Sequence, residues 1–275
     1  MNHSKVEIEK VIEEIRLLVL EEGVVGDIQY FSFHEKRFSR MANTISKTAM
    51  KGAKILDIGS HYLHSGMILT KLGYQVVCMD VQEFWSIPFV QDRAKVFEIE
   101  KCVHNNLELL KSDEVGVEAY DLVLFTEILE HITFNPINFW KELYAITKDG
   151  GSIYISTPNS LSLSSILRTL KNVFTFKGIG VSIEMIFARV TYGHHWKEYS
   201  AREIRNYFSQ LNDDFKVKVE RYSYQKFDNS TTALLCWSLL RVFGSLTYIF
   251  SSDLEAIVTV NKSVSDNWKL QSPNY

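Results

Sequence analysis

The chain lacks the usual means of being a secreted, fibrous or duplex-coating protein. It has three cysteines, Cys78, Cys102 and Cys236, far apart and with no Cys-x-x-Cys among them. That excludes a disulfide framework and suits reduced, buried thiols. Four prolines in 275 residues leave little scope for long disordered linkers. No charge sign dominates: the formal net charge is -3, so no global positive field recruits a long nucleic-acid duplex. Neither Gly-x-Gly-x-x-Gly nor Gly-x-x-x-x-Gly-Lys-Ser/Thr occurs. A dinucleotide or triphosphate site would therefore lack its phosphate cradle, which counts against a nicotinamide-dependent oxidoreductase. The longest apolar run, "ALLCWSLLRVFGSLTYIF" (233–250), is interrupted by Arg241 and Gly244. A charge at its centre makes it costly as a membrane span, so an interfacial or lid-packing helix is expected there. The N-terminus, "MNHSKVEIEKVIEEIRLLVL", is acidic and amphipathic, unlike a signal peptide. These absences lead us to expect a cytoplasmic protein, with association at the inner membrane face as the alternative.

Apolar residues make up 46% of the chain and charged residues 23%, an ordinary globular balance. Val6 to Leu20 has helical periodicity. Five β-rich runs then alternate with helical segments: "AKILDIGS" (53–60), "GYQVVCMDV" (73–81), "KVFEIEKCV" (95–103), "YDLVLFT" (120–126) and "GGSIYISTP" (150–158). Near-continuous apolar strands between helices imply a parallel sheet covered on both faces. After Pro158 the rhythm stops until a helical pattern at 200–211 and two late β-like runs, "FKVKVERYSYQKF" and "EAIVTVNK". The expected architecture is α/β: an N-terminal helical cap over 1–50, then one domain over 51–275. That domain carries a lid over 159–196 and an apolar insertion over 231–252.

Ligands of open α/β sheets sit at the carboxyl ends of the strands. Asp57, Gly59 and Ser60 end the first strand, and Asp80 ends the second, 21 residues after Gly59. A carboxylate there suits a pair of ribose hydroxyls. A ribose without a phosphate cradle fits S-adenosylmethionine.

The ordered set "ILDIGS…GYQVVCMD…YDLVLFTEILEHI…GGSIYISTPN" resembles the class I S-adenosylmethionine-dependent methyltransferases of types 11 and 23, over roughly 51–159. The resemblance implies a Rossmann-like fold with a mostly parallel seven-stranded sheet. By it, Asp57, Gly59 and Ser60 flank the methionine moiety, Asp80 and Val81 hold the ribose, and Asn105 or Asn106 lies near the adenine. Thr126 and Glu127 complete the cofactor wall, and Arg37 is a candidate for the cofactor carboxylate. One departure stands out: the family continues Asp-x-Gly-x-Gly-x-Gly, whereas here His61 and Leu63 occupy the later glycine positions. Glycine lets backbone approach a ligand closely, so a different loop path, using Gly66, is expected. The same departure motivates an alternative of another class, a non-catalytic binding protein on this fold.

"LFTEILEHI" places Glu127, Glu130 and His131 just after the fourth strand. Three uses are open. The acids orient cofactor or cap a turn; or His131 acts as general base on an attacking hydroxyl, for which its ordinary pKa is suited; or the group binds Mg²⁺, Mn²⁺ or Zn²⁺. Glu-x-x-Glu-His matches the metal motif of the small-RNA 3′-terminal 2′-O-methyltransferases and resembles ubiquinone-pathway O-methyltransferases. That likeness implies a further histidine about sixty residues on. His195, in "HHWKEYS", is at the matching place, with His194 the near alternative and Glu198 and Tyr199 following. The ligand set would be Glu127, Glu130, His131 and His195, with His131 and His195 also the candidate catalytic residues.

The lid mixes apolar residues with Arg168, Lys171 and Lys177, a composition suited to a lipid-linked acceptor at a membrane surface or to closing a dry pocket. The expected function is methyl transfer to a hydroxyl of a small molecule or glycan, with a lipid-linked acceptor as one form. Metal-dependent methylation of RNA ends is the alternative, disfavoured because no basic groove is evident; nucleic acid is not an expected partner.

Overall fold

A computed structural model describes residues 3–188, 190–223, 250–263 and 267–273. The chain begins with a helical hairpin. Ser4 caps α1 (Lys5–Glu22) by accepting from the Glu7 amide at 3.2 Å, and Gly23, at φ 72°, ends it. α2 (Val25–Thr48) follows at once. The left-handed turn at Gly23 is what only glycine adopts without strain.

The sheet is then laid down as β1 (Lys54–Ile58), α3 (His64–Lys71), β2 (Gln75–Asp80), α4 (Gln82–Trp85), α5 (Pro88–Val96), β3 (Glu100–Val103), α6 (Ser112–Val115), β4 (Tyr120–Thr126), α7 (Ile137–Ile146) and β5 (Thr147–Pro158). α8 (Leu163–Phe174), α9 (Ile183–Ala188), α10 (Ala201–Leu211), β6 (Phe215–Tyr222) and β7 (Asp253–Val260) complete the described elements. The seven strands run in the order β3-β2-β1-β4-β5-β7-β6. β1 to β5 pair in parallel, and β7 is antiparallel to both β5 and β6. The order reverses beside β1, so the crevice at the carboxyl ends of β1 and β4 is the site such a topology offers a ligand.

Alternation along the strands separates two cores. Leu56, Ile58, Val123 and Phe125 join Trp140 of α7 and Phe208 of α10. Ile55, Leu122 and Leu124 join Ile15 of α1, Phe31 and Phe38 of α2, and Met67 of α3. The residues expected as a cap thus share their apolar core with the sheet. The third expected strand is shorter than the run 95–103. Pro88 starts α5, which continues to Val96, and Glu98 turns back at φ 53° before β3 begins at Glu100. The expected insertion over 231–252 falls, up to 249, outside the described residues. Among the described residues no helix is long and apolar enough to cross a membrane.

Candidate active site

Position 57 faces the layer of α1 to α3 by strand alternation, so Asp57 is fully buried there. Its Oδ2 accepts from the Ser65 hydroxyl of α3, and its Oδ1 has no partner among the described residues. Burial pushes its pKa up to about 7, against the opposing pull of the Ser65 hydrogen bond. Two residues on, Gly59 sits at φ 73°, and a Cβ there would lie 2.5 Å from Cδ1 of Ile128. Glycine takes this left-handed φ without strain, and a Cβ here would have to push aside the tip of the Ile128 side chain on the loop after β4.

His61 and Leu63 do not send the loop elsewhere, as the departure from the glycine pattern led us to expect. They sit at φ 49° and 65°, the left-handed backbone that glycine would take. Gly66 is no pivot: it lies inside α3, where a Cβ would meet Cys78 Sγ at 2.7 Å, so its role is to let α3 pack on β2. The strain at 61 and 63 is held by neighbours. Leu63 is buried in the core. The His61 ring lies 4.5 Å from that of Tyr30 and 4.4 Å from that of Phe84, centroid to centroid. Burial drives the His61 pKa down to about 3, keeping the ring neutral.

Asp80 ends β2 with its carboxylate at this loop. Oδ2 accepts from the His61 amide at 2.6 Å and Oδ1 from the Val81 amide at 2.7 Å. Each oxygen keeps a lone pair for another donor. Ser60 is buried beside Asp57, its amide directed to the Met79 carbonyl at 3.3 Å. Of the two asparagines, Asn105 accepts from the Gln82 amide at 2.8 Å and so joins the Asp80 loop. Asn106 instead caps the 3-10 turn Leu107–Leu109 through the Glu108 amide.

At the end of β4, Thr126 pairs in register with Ser156 of β5. Glu127 turns out of the strand at φ 55°. Its Oε1 accepts from the Ser156 hydroxyl at 2.8 Å, and its Oε2 lies 3.5 Å from Arg37 Nη1 of α2. Arg37, itself buried, also donates to the Tyr30 hydroxyl at 3.2 Å. Arg37 and Glu127 thus stand as a charge pair on the wall facing the β1 loop, where the two ends of an amino acid would find opposite charges.

Glu130 and His131 lie in the 3-10 turn Leu129–His131. Glu130 is fully buried; Oε2 accepts from the Thr157 hydroxyl at 2.8 Å, and Oε1 has no partner among the described residues. Burial, with the nearby Glu127, holds its pKa well above the carboxylate range. His131 Nδ1 is 2.9 Å from the His194 carbonyl. A carbonyl only accepts, so Nδ1 carries the proton and Nε2 keeps its lone pair. That Nε2 is 3.9 Å from Glu130 Oε1, and the His195 ring stands edge-on to His131 at 4.9 Å. Burial and the facing His195 lower the His131 pKa to about 4.

Glu130, His131 and His195 can each present a ligand atom, all within 4.8 Å of one another. Glu127 is not among them, because Ser156 and Arg37 hold its carboxylate elsewhere. His194 contributes its carbonyl to His131 rather than its ring. Ser65, Ser156, Thr157 and Tyr30 had no signal in the sequence beyond their hydroxyls. Glu198, read there only as a landmark, lies with Oε1 3.6 Å from His195 Nδ1.

A family model described as a methyltransferase domain matches residues 32–215. A mitochondrial ubiquinone biosynthesis O-methyltransferase of Dictyostelium discoideum is 35% identical over 172 residues, covering 59% of this chain and 50% of that protein. A ubiquinone biosynthesis O-methyltransferase of Xanthomonas campestris is 24% identical over 123 residues, covering 44% and 49%. The chain thus spans about half the length of these curated relatives. Among solved structures, a SAM-dependent methyltransferase from Archaeoglobus fulgidus superposes with a TM-score of 0.53 at 16% identity, over 84% of this chain and 99% of that one. The PH0226 protein of Pyrococcus horikoshii does so with a TM-score of 0.52 at 15% identity, over 82% and 91%. At such identities the structures speak for the fold, and the domain model, matching well over half of the chain, speaks for the family. The chain belongs to the class I S-adenosylmethionine-dependent methyltransferases.

Proposed function

We propose that this protein transfers the methyl group of S-adenosylmethionine to a hydroxyl oxygen of a small molecule or glycan. One observation carries the oxygen assignment: a buried, unpartnered Glu130 oxygen faces the lone pair of His131 and the ring of His195. Two relatives whose names specify O-methylation point the same way. On this reading Asp57, with its open Oδ1, and the Arg37–Glu127 pair bind the amino-acid end of the cofactor, and Asp80 takes the ribose. Bound there, the cofactor supplies an electrophilic methyl group.

The donor set also fits a divalent cation. One carboxylate and two imidazoles suit Zn²⁺ or Mn²⁺ more than Mg²⁺, which favours oxygen. Glu130, His131 and His195 would hold it, and a cation so bound lowers the pKa of a coordinated hydroxyl. The residues prepare for this unaided: the His194 carbonyl fixes the His131 tautomer, and Thr157 fixes the Glu130 carboxylate.

Calorimetry tests both halves. S-adenosylhomocysteine is titrated first, then Zn²⁺, Mn²⁺ and Mg²⁺ into the chelator-stripped complex. Cofactor binding is expected; its absence would leave a non-catalytic binding protein. Metal binding is expected to be lost in Glu130→Gln and His195→Ala and kept in Glu127→Gln. Cofactor binding with no metal binding would return Glu130, His131 and His195 to orienting the cofactor or to general-base work, the latter weakened by the low His131 pKa. Isolation of amine-methylated product would discard the hydroxyl reading.

A further inference from the structure

Helix α8 leaves much of its apolar stripe uncovered. Its capping Ser162 and its Ser165 face the protein and are buried, whereas Leu167, Leu170 and Phe174, on one stripe of the helix, face outward. A surface helix of a globular protein does the reverse. The segment beyond α8 carries further exposed apolar side chains: Phe174, at the end of α8, is 80% exposed, and Phe176 and Phe187 are 97% and 84% exposed. Exposed apolar residues are normally scattered singly, and a concentration of large ones in one short segment points to an interaction site. The sequence of this segment is also biased in charge. Residues 160–190 contain four bases, Arg168, Lys171, Lys177 and Arg189, and one acid, Glu184, a net +3 in a chain of net -3.

We propose that the α8–α9 face docks on a lipid bilayer that carries anionic headgroups. Apolar side chains flanked by bases on a segment too short to span match the chemistry of an interfacial element: area buried below the headgroups, with each base adding attraction to anionic lipid. A protein partner or a second copy would not call for the excess of positive charge. The docked face adjoins the site, because Ser165 of α8 donates to Glu198 at 3.0 Å and Glu198 faces His195. The docking itself does not rest on the methyl-transfer reading. Its consequence for that reading is an acceptor drawn from the membrane.

Flotation of the full chain with vesicles tests this. Capture is expected on phosphatidylcholine vesicles containing phosphatidylglycerol, weakening as salt rises, with little on phosphatidylcholine alone. Phe174→Ser with Phe176→Ser and Phe187→Ser, and separately Lys171→Glu with Lys177→Glu, are expected to cut capture about tenfold or more. All five positions are exposed, and an unchanged melting temperature in each variant reports the intact fold. No capture by the wild type, or capture that neither variant reduces, overturns the proposal. A dimer in sedimentation velocity that the serine variant abolishes, without vesicle capture, assigns the face to a second copy instead. Failure to bind S-adenosylhomocysteine would strike the enzymatic reading and leave the vesicle result standing.

Discussion

At the scale of single residues, the β1 loop is where chemistry and conformation compete. Gly59→Ala would force a Cβ onto Ile128 at a left-handed φ. The expected cost is about 1–3 kcal/mol of stability, with at least tenfold weaker S-adenosylhomocysteine binding by calorimetry. Asp57 gives a pH signature. Its native pKa, about 7, lies above its ordinary 3.8. Below 3.8 both folded and unfolded forms carry the proton, and the fold keeps the full benefit. As pH rises towards 7 only the unfolded chain ionises freely, so stability falls by up to about 1.4 kcal/mol per unit. Asp57→Asn is expected to flatten that part of the profile when ligand-free protein is melted between pH 4 and 7. A merely structural hydrogen bond to Ser65 would leave the slope unchanged. Asp57, Gly59 and Asp80 were legible in the sequence because strand ends and spacing mark them. His61 and Leu63 were misjudged for a physical reason. Residue type predicts which backbone is comfortable, not which strained one the surrounding packing enforces.

At the scale of elements, the acid and histidine group is a meeting of three segments, and only two announce themselves. "TEILEH" and "HHWKEY" carry titratable residues in recognisable order. The third contribution, from the end of β5, consists of Ser156 and Thr157, whose hydroxyls set Glu127 and Glu130 apart. Those hydroxyls decide that Glu127 leaves the metal-competent group, and nothing in their spacing says so. Glu198 is the corresponding hidden element at the lid. It accepts from Ser165, lies 3.5 Å from Arg168 of α8, and lies 3.6 Å from His195 Nδ1. Glu198→Gln is expected to weaken Zn²⁺ binding about tenfold, as loss of an outer-shell partner does, with S-adenosylhomocysteine affinity unchanged. Equal loss of both affinities would reduce Glu198 to a structural strut. Strand β3 teaches the converse. Its apolar run was visible, but α5, started by Pro88, extends through Lys95 and Val96, and the left-handed turn at Glu98 delays the strand to Glu100.

At the scale of the whole molecule, the parallel sheet covered on both faces was legible in near-continuous apolar strands set between helices, and the last two strands in two late β-like runs; the strand order and the antiparallel direction of β7 left no mark in the sequence. The polar network under the N-terminal hairpin was not visible. Arg93 of α5 pairs with Asp27 of α2 and Glu22 of α1, and Asp27 Oδ1 lies 2.9 Å from His64 Nε2 of α3. Asp27, His64 and Arg93 are all buried. Partners so distant in sequence leave no local pattern. Removing one member strands the others, so Arg93→Ala is expected to cost about 3–5 kcal/mol in urea denaturation; a loss under 1 kcal/mol would mean that the network is solvated. The hairpin so clamped is the one that presents Arg37 to the site. On the proposed role of Arg37 at the cofactor, opening of the hairpin and occupancy of the crevice are thermodynamically linked. Ligand at a hundred times its dissociation constant deepens the folded well by about 2.7 kcal/mol. Amides in the middle of α2, far in sequence from every motif, should slow their exchange with deuterated solvent accordingly, making the first fifth of the chain the reporter of what the centre has bound.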